Sequence, residues 1–185
     1  MNTPVNQNPP EEDLPARVAP EVYTTDLVLP SQTNYYHTMF GGDAMAMMDK
    51  TAAIAALRFC RQPIVTASSE HIDFREPVYE SEIIEARARV IFAGRSSLVV
   101  RVHVYGENAL NGNRRLCTTG YFNMVSITPE GKAMPLHVRL LLEDESSHEE
   151  WLIGKRIHEA IVARREQYTR QKPGKGPEAT AGTGT

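Results

Sequence analysis

Two successive segments with a period of two restrict the fold of this chain more than any other feature. From Glu82 to Ala93, Ile84, Ala86, Ala88, Val90 and Phe92 alternate with Glu85, Arg87 and Arg89. From Ser97 to Glu107, Leu98, Val100, Val102 and Val104 oppose Arg101, His103 and Tyr105. Successive side chains of a strand point to opposite faces, so each segment predicts a strand with one face on a core. Gly94-Arg95-Ser96 joins the two as a short hairpin connection. Ile64 to Phe74 before them and Leu116 to Thr128 after them are also strand-like, with turns at Pro77 and Asn111-Gly112-Asn113. A further strand is expected at Val22 to Leu29.

One segment among these reads differently. Asp43 to about Arg61 is made of helix formers, with Asp43 complementing the helix dipole and Pro63 just beyond the end. It is apolar on nearly every face, which predicts burial rather than amphipathicity. One strand, one buried helix and an antiparallel meander give an α+β layout with a single central helix. A second helix is expected over residues 143–171, where Trp151, Ile157, Ile161 and Tyr168 make a narrow apolar stripe. It either docks on its own domain, the favoured reading, or contacts another subunit. Residues 1–20 are polar and Pro-rich and are expected to be disordered, as is the Gly/Pro/Thr-rich tail over 172–185. The folded domain is expected over residues 21–142.

The net charge is only −3, with no clustered basic face, so electrostatics gives no case for a nucleic-acid partner. No apolar run reaches membrane-spanning length, and the N-terminal residues do not read as a signal peptide. Cys60 and Cys117, the only cysteines, read as small core hydrophobes in a reducing compartment. A cytoplasmic location is the simplest expectation. No His/Asp cluster has metal-ligand spacing, so neither a catalytic metal nor another cofactor is expected.

Asp49 is an acid in the middle of the apolar helix. A buried carboxylate needs either a structural partner or a purpose, and Lys50, adjacent on a helix, does not face it. At the helix entry stands Phe40-Gly41-Gly42. Unpaired N–H groups there carry positive partial charge, and glycine allows a developing oxyanion to approach them; an ordinary tight turn is the alternative. Gly41 and Asp49 are eight residues apart, about 12 Å along a helix at roughly 1.5 Å per residue. They cannot serve one carbonyl from the same straight helix. If they cooperate, each must come from a different subunit of a two-fold dimer.

Pro30-Ser31-Gln32-Thr33-Asn34, Phe40-Gly41-Gly42 and Met48-Asp49 occur in an order that resembles the hotdog-fold acyl-CoA thioesterases. Val65-Thr66-Ala67, Asp73-Phe74 with Pro77, and Gly94-Arg95-Ser96-Ser97 add to the likeness, which covers about Leu27 to Pro135. The bacterial broad-specificity and brain-type cytosolic acyl-CoA hydrolases are the nearest in pattern. The resemblance implies an antiparallel sheet wrapped around one long helix, and hydrolysis of acyl-CoA to a free acid and coenzyme A. It implies that Asp49 is the catalytic acid, that Gly41 polarises the thioester carbonyl, and that Asn34 helps position water or substrate. It further implies coenzyme A contacts at Gly42, Thr66, Gly94, Arg95, Ser96 and Ser97, with Arg95 suited to a phosphate. Self-association as a dimer, and as a trimer of dimers, belongs to the same implication. The chain departs from the family at Tyr36-His37-Thr38, where relatives often carry Asn-Gly-Asp or Gly-Asn. His37 is then expected to line the cleft or face solvent, and His71 and His103 to be structural. Two other readings are a hotdog dehydratase or hydratase and a non-catalytic acyl-CoA sensor. The first would need His37 beside a carboxylate, and the second usually carries a DNA-binding segment unlike residues 1–20.

Overall fold

The alternating segments form a five-stranded antiparallel sheet in the computed structural model of the chain, which describes residues 13–171. The elements are β1 (Ala16–Arg17), β2 (Val22–Leu27), a 3-10 turn (Pro30–Gln32), α1 (Gly41–Cys60), β3 (Ile64–Phe74), β4 (Ile83–Ala93), β5 (Ser97–Glu107), β6 (Arg114–Ser126), β7 (Arg139–Leu140) and α2 (Glu145–Gln171). The sheet order is β2-β4-β5-β6-β3. The strands that flank α1 in sequence therefore lie at opposite edges, and the helix crosses the inner face between them. This is the hotdog layout, with a C-terminal helix added.

The apolar set of the alternation forms the inner face, except Phe92, which the register shift after Val90 turns to the outer face against Trp151 and His158 of α2. Ile84, Ala86, Ala88 and Val90 of β4 and Leu98, Val100, Val102 and Val104 of β5 are buried in one cluster with Met48, Ala52, Ala55, Ala56 and Phe59 of α1. Alanines on both sides let the helix lie close to the sheet, and Phe59 and Met48 fill the remaining space. Full burial of each such large side chain stabilises the fold by about 1.5–3 kcal/mol. The helix begins two residues before the expected start, with Phe40 at the N-cap. It ends at Arg61, a left-handed C-cap (φ 56°) whose N–H donates to the Leu57 carbonyl.

Three expectations are corrected. Within one subunit α1 is buried on one side only: Met45, Ile54 and Leu57 stay 42%, 38% and 44% exposed. The cause is the position of β3, the last strand of the sheet, beyond which none of the described residues packs there. The expected N-terminal disorder does not extend over residues 13–20. β1 pairs in parallel with β7, and the Arg139 N–H donates to the Pro15 carbonyl at 3.1 Å. Composition misses such pairing because it uses backbone groups rather than apolar side chains. The rest of the two expected disordered ends, residues 1–12 and 172–185, lies outside the described residues. Finally, Tyr168 is 65% exposed and takes no part in docking α2. That helix packs on the outer face of its own sheet through Ser147, Trp151, Gly154, His158 and Ile161, spaced three and four apart.

Candidate active site

Asp49 sits half-buried on the uncovered side of α1, where the helix meets the edge strand β3. Its Oδ1 accepts a hydrogen bond from the exposed Thr66 hydroxyl at 2.6 Å. Its Oδ2 has no hydrogen-bond partner among the described residues, and no Lys or Arg there lies within ion-pair distance. One carboxylate oxygen is thus oriented by the protein, and the other is left to accept a bond from water. The strand-like run of β3 gave no hint of this pairing, since Thr66 is brought to Asp49 only by the crossing of helix and sheet.

At the start of α1, the amides of Asp43 and Ala44 donate to the Phe40 carbonyl at 3.0 and 3.2 Å. Those of Gly41 and Gly42 have no backbone acceptor among the described residues. Among the described residues nothing demands glycine at position 41: a Cβ there would meet the Phe74 ring at 3.7 Å, an ordinary contact. Its absence leaves the amide open to close approach. Beside it opens a pocket of about 310 Å³ walled by Met39, Gly41, Ala44, Phe74, Val78 and Val104. Gly41 and Asp49 lie on one unbroken helix, so a single subunit does not bring them together.

Asn34 is held within its own loop. Its Oδ1 accepts from the Tyr36 amide at 2.8 Å, and its Nδ2 donates to Thr38 Oγ1 at 3.0 Å. The backbone closes the same turn, with Asn34 N–H donating to the Thr38 carbonyl at 2.8 Å. His37 adopts a left-handed conformation (φ 57°) at the turn's exit, and its exposed ring lies 3.2 Å from a Glu80 carboxylate oxygen. Tyr35 and Tyr36 project from the tip. The loop is therefore a rigid, aromatic entry to α1.

Gly94, Arg95 and Ser96 form the β4–β5 turn, and Ser97 opens β5. Arg95 is exposed and makes no ion pair among the described residues, while Ser97 is buried. On the outer face of β5, burial, aided by nearby Arg101, pushes the His103 imidazole down to about 4, so it stays neutral. Among the described residues no group of three or more His, Cys, Asp or Glu could hold a metal ion.

Residues 36–111 match the family model described as Thioesterase superfamily. The uncharacterized acyl-CoA thioester hydrolase YkhA of Bacillus subtilis is 35% identical over 63% of this chain and 67% of its own length. The mouse cytosolic acyl coenzyme A thioester hydrolase is 30% identical over 80% of this chain, which spans only 39% of that protein. An acyl-CoA hydrolase of Staphylococcus aureus, solved with butyryl coenzyme A, coenzyme A and coenzyme A disulfide, superposes with a TM-score of 0.77. It is 30% identical, with 84% of this chain and 96% of that one covered. Variants of that enzyme with an asparagine, an aspartate or a threonine changed to alanine superpose as well. An apo-hexameric acyl-CoA thioesterase gives a TM-score of 0.71 at 29% identity, covering 85% of this chain and 97% of that one.

Proposed function

The chain belongs to the hotdog-fold acyl-CoA thioester hydrolases of the thioesterase superfamily, and on that premise we propose that it hydrolyses acyl-CoA to a free carboxylic acid and coenzyme A at a site shared by two subunits. The observation that carries this reading is the Asp49 carboxylate, oriented by the Thr66 hydroxyl at 2.6 Å and uncompensated by any cation among the described residues. As a general base, Asp49 takes a proton from water as the water oxygen bonds to the thioester carbon. The carbonyl oxygen becomes an oxyanion on the Gly41 amide. The C–S bond then breaks, and the sulfur leaves with the proton that Asp49 had taken. As a nucleophile, Asp49 would instead form an anhydride that water opens. Heavy-oxygen water separates the two, because only the anhydride route labels the enzyme carboxylate.

The substituted asparagine and aspartate of the Staphylococcus aureus enzyme are 15 positions apart, and its aspartate and threonine 17. Asn34, Asp49 and Thr66 have the same separations, which supports their common assignment. Asn34 acts here as a positioning residue, since its amide is spent on the loop that presents Gly41.

The edge of β3 explains how two subunits make one site. Along α1, β3 places Thr66 beside Asp49 and Phe74 beside Gly41. An antiparallel two-fold pairing of two such edges, centred near Glu70, sets Thr66 opposite Phe74 of the partner subunit, and hence Asp49 near Gly41 of the partner subunit. It also covers an 11-residue free edge and the exposed Met45, Ile54 and Leu57. A hexamer built as a trimer of such dimers is the further assembly, supported by the hexameric relative. The pocket beside Gly41 receives the acyl group, and a cytoplasmic location fits two buried, unpaired thiols.

Release of free thiol from a panel of acyl-CoAs tests the activity. Wild-type turnover is expected, with Asp49→Asn losing about 10²- to 10⁴-fold as general-base removal does. Binding without thiol release would turn the assignment to an acyl-CoA sensor.

A further inference from the structure

We propose that α2 is a positioning element for the coenzyme A hairpin, acting through His158. The inference rests on the reading of Gly94-Arg95-Ser96-Ser97 as the segment that meets the nucleotide. A three-residue turn carrying an exposed arginine can hold a phosphate only if its backbone is fixed, and three neighbours fix this one. The Ser126 amide donates to the Ser96 carbonyl at 2.9 Å, and the Leu136 amide to the Arg95 carbonyl at 2.8 Å. The third neighbour is the His158 ring.

That ring fills the space under the turn. It packs against Phe92, the last large side chain before the turn, with centroids 4.9 Å apart and planes tilted by 30°. A Cβ on Gly94 would stand 3.4 Å from His158 Cε1 and from Phe92 Cε1, so the turn rests directly on both rings. On the far side, Ser97 Oγ and His158 Nδ1 are 3.5 Å apart, at the long limit of a hydrogen bond. The helix is pressed against the strand one turn earlier as well: a Cβ on Gly154 would fall 2.6 Å from Phe92 Cβ. Gly154 thus sets how near His158 comes. Arg95 itself is exposed and makes no ion pair among the described residues. The underside of the turn belongs to α2, and its exposed side is left to the ligand.

The test compares an acyl-CoA with the N-acetylcysteamine thioester of the same acyl group, which lacks the nucleotide. His158→Ala should raise KM for the acyl-CoA by about two- to tenfold, the range expected from losing a packed aromatic pair of about 0.5–1.5 kcal/mol. Its kcat, and turnover of the short thioester, should be unchanged. His158→Phe keeps a ring against Phe92 and Gly94 and should recover most of the loss. The double variant Arg95→Ala with His158→Ala should be no worse than Arg95→Ala alone, because the helix acts through the turn. If Arg95→Ala separates the two substrates and His158→Ala does not, the hairpin reading stands and the role of α2 is refuted. Equal losses on both substrates from His158→Ala, in a variant that melts like wild type, would refute it too. Should Arg95→Ala treat both substrates alike, the nucleotide reading of the turn falls and this inference with it.

Discussion

Thr66 has two possible duties, and one substitution decides between them. Its pattern match places it among coenzyme A contacts, whereas in the structure its hydroxyl donates to Asp49 Oδ1 at 2.6 Å. Thr66→Val removes that hydroxyl, keeps the β-branched shape that suits a strand, and leaves the carboxylate in place. A hydrogen bond to a charged group is worth about 1.5–3 kcal/mol. Thr66 is exposed, so water replaces part of the loss and the lower end applies. At about 1.4 kcal/mol per factor of ten, that amounts to roughly a tenfold fall in rate. If the bond orients the base, the fall appears in kcat, with KM and melting temperature unchanged, and Thr66→Ser keeps most of the rate. Steady-state thiol release over a range of acyl-CoA concentrations separates the two constants. In an Asp49→Asn background the same change should cost nothing further, since the group it orients is gone. The reasoning is refuted if Thr66→Val raises KM and spares kcat. Thr66 would then hold substrate, and its bond to Asp49 would be incidental.

The shared site predicts complementation. Asp49→Ala and a bulky Gly41 variant should each be nearly inactive as homodimers, while mixed dimers regain up to about half the activity per dimer, because one site then carries both intact residues; recovery of nothing from well-folded mixed dimers refutes the sharing. The pocket beside Gly41 predicts that Ala44→Leu will lower kcat/KM for longer acyl chains by about fourfold per methylene excluded and spare acetyl-CoA; a uniform loss across chain lengths would move the acyl group elsewhere. Acid should destabilise the fold in two steps, read by denaturant titrations. Between the ordinary 6.5 and about 4 the unfolded chain takes up a proton that folded His103 refuses, so stability falls with pH there and His103→Gln should flatten that limb. At lower pH, Glu70, held below the usual carboxylate range by its bond to Arg164, contributes stability above its unfolded value that is lost as pH falls through its folded one; Arg164→Ala should remove that contribution.

What the sequence revealed and what it hid follow from the range of the forces involved. The strands β3, β4 and β5 could be placed to within a residue because their signal is local, although Phe92, past the register shift after Val90, faces α2 rather than the core. Asp49 stood out for the same reason, as a charge in an apolar run. The partial exposure of α1 was not legible. Ala46, Ile54 and Leu57 look as apolar as Ala52 and Phe59, and only the strand order, with β3 at the edge, decides which of them this chain covers. Hydrophobicity in a sequence marks what must be buried, but not whether the same chain or a second copy buries it. The pattern of α1 is therefore that of a helix covered on both sides, and the bare side of the single subunit is the side on which Asp49 lies. In the proposed dimer, that bare side is where the Gly41 amide of the other chain would meet the thioester carbonyl that Asp49 serves. If the two groups serve one carbonyl, the eight-residue gap between Gly41 and Asp49, too long for one helix to bridge, is the feature of the sequence that calls for two chains.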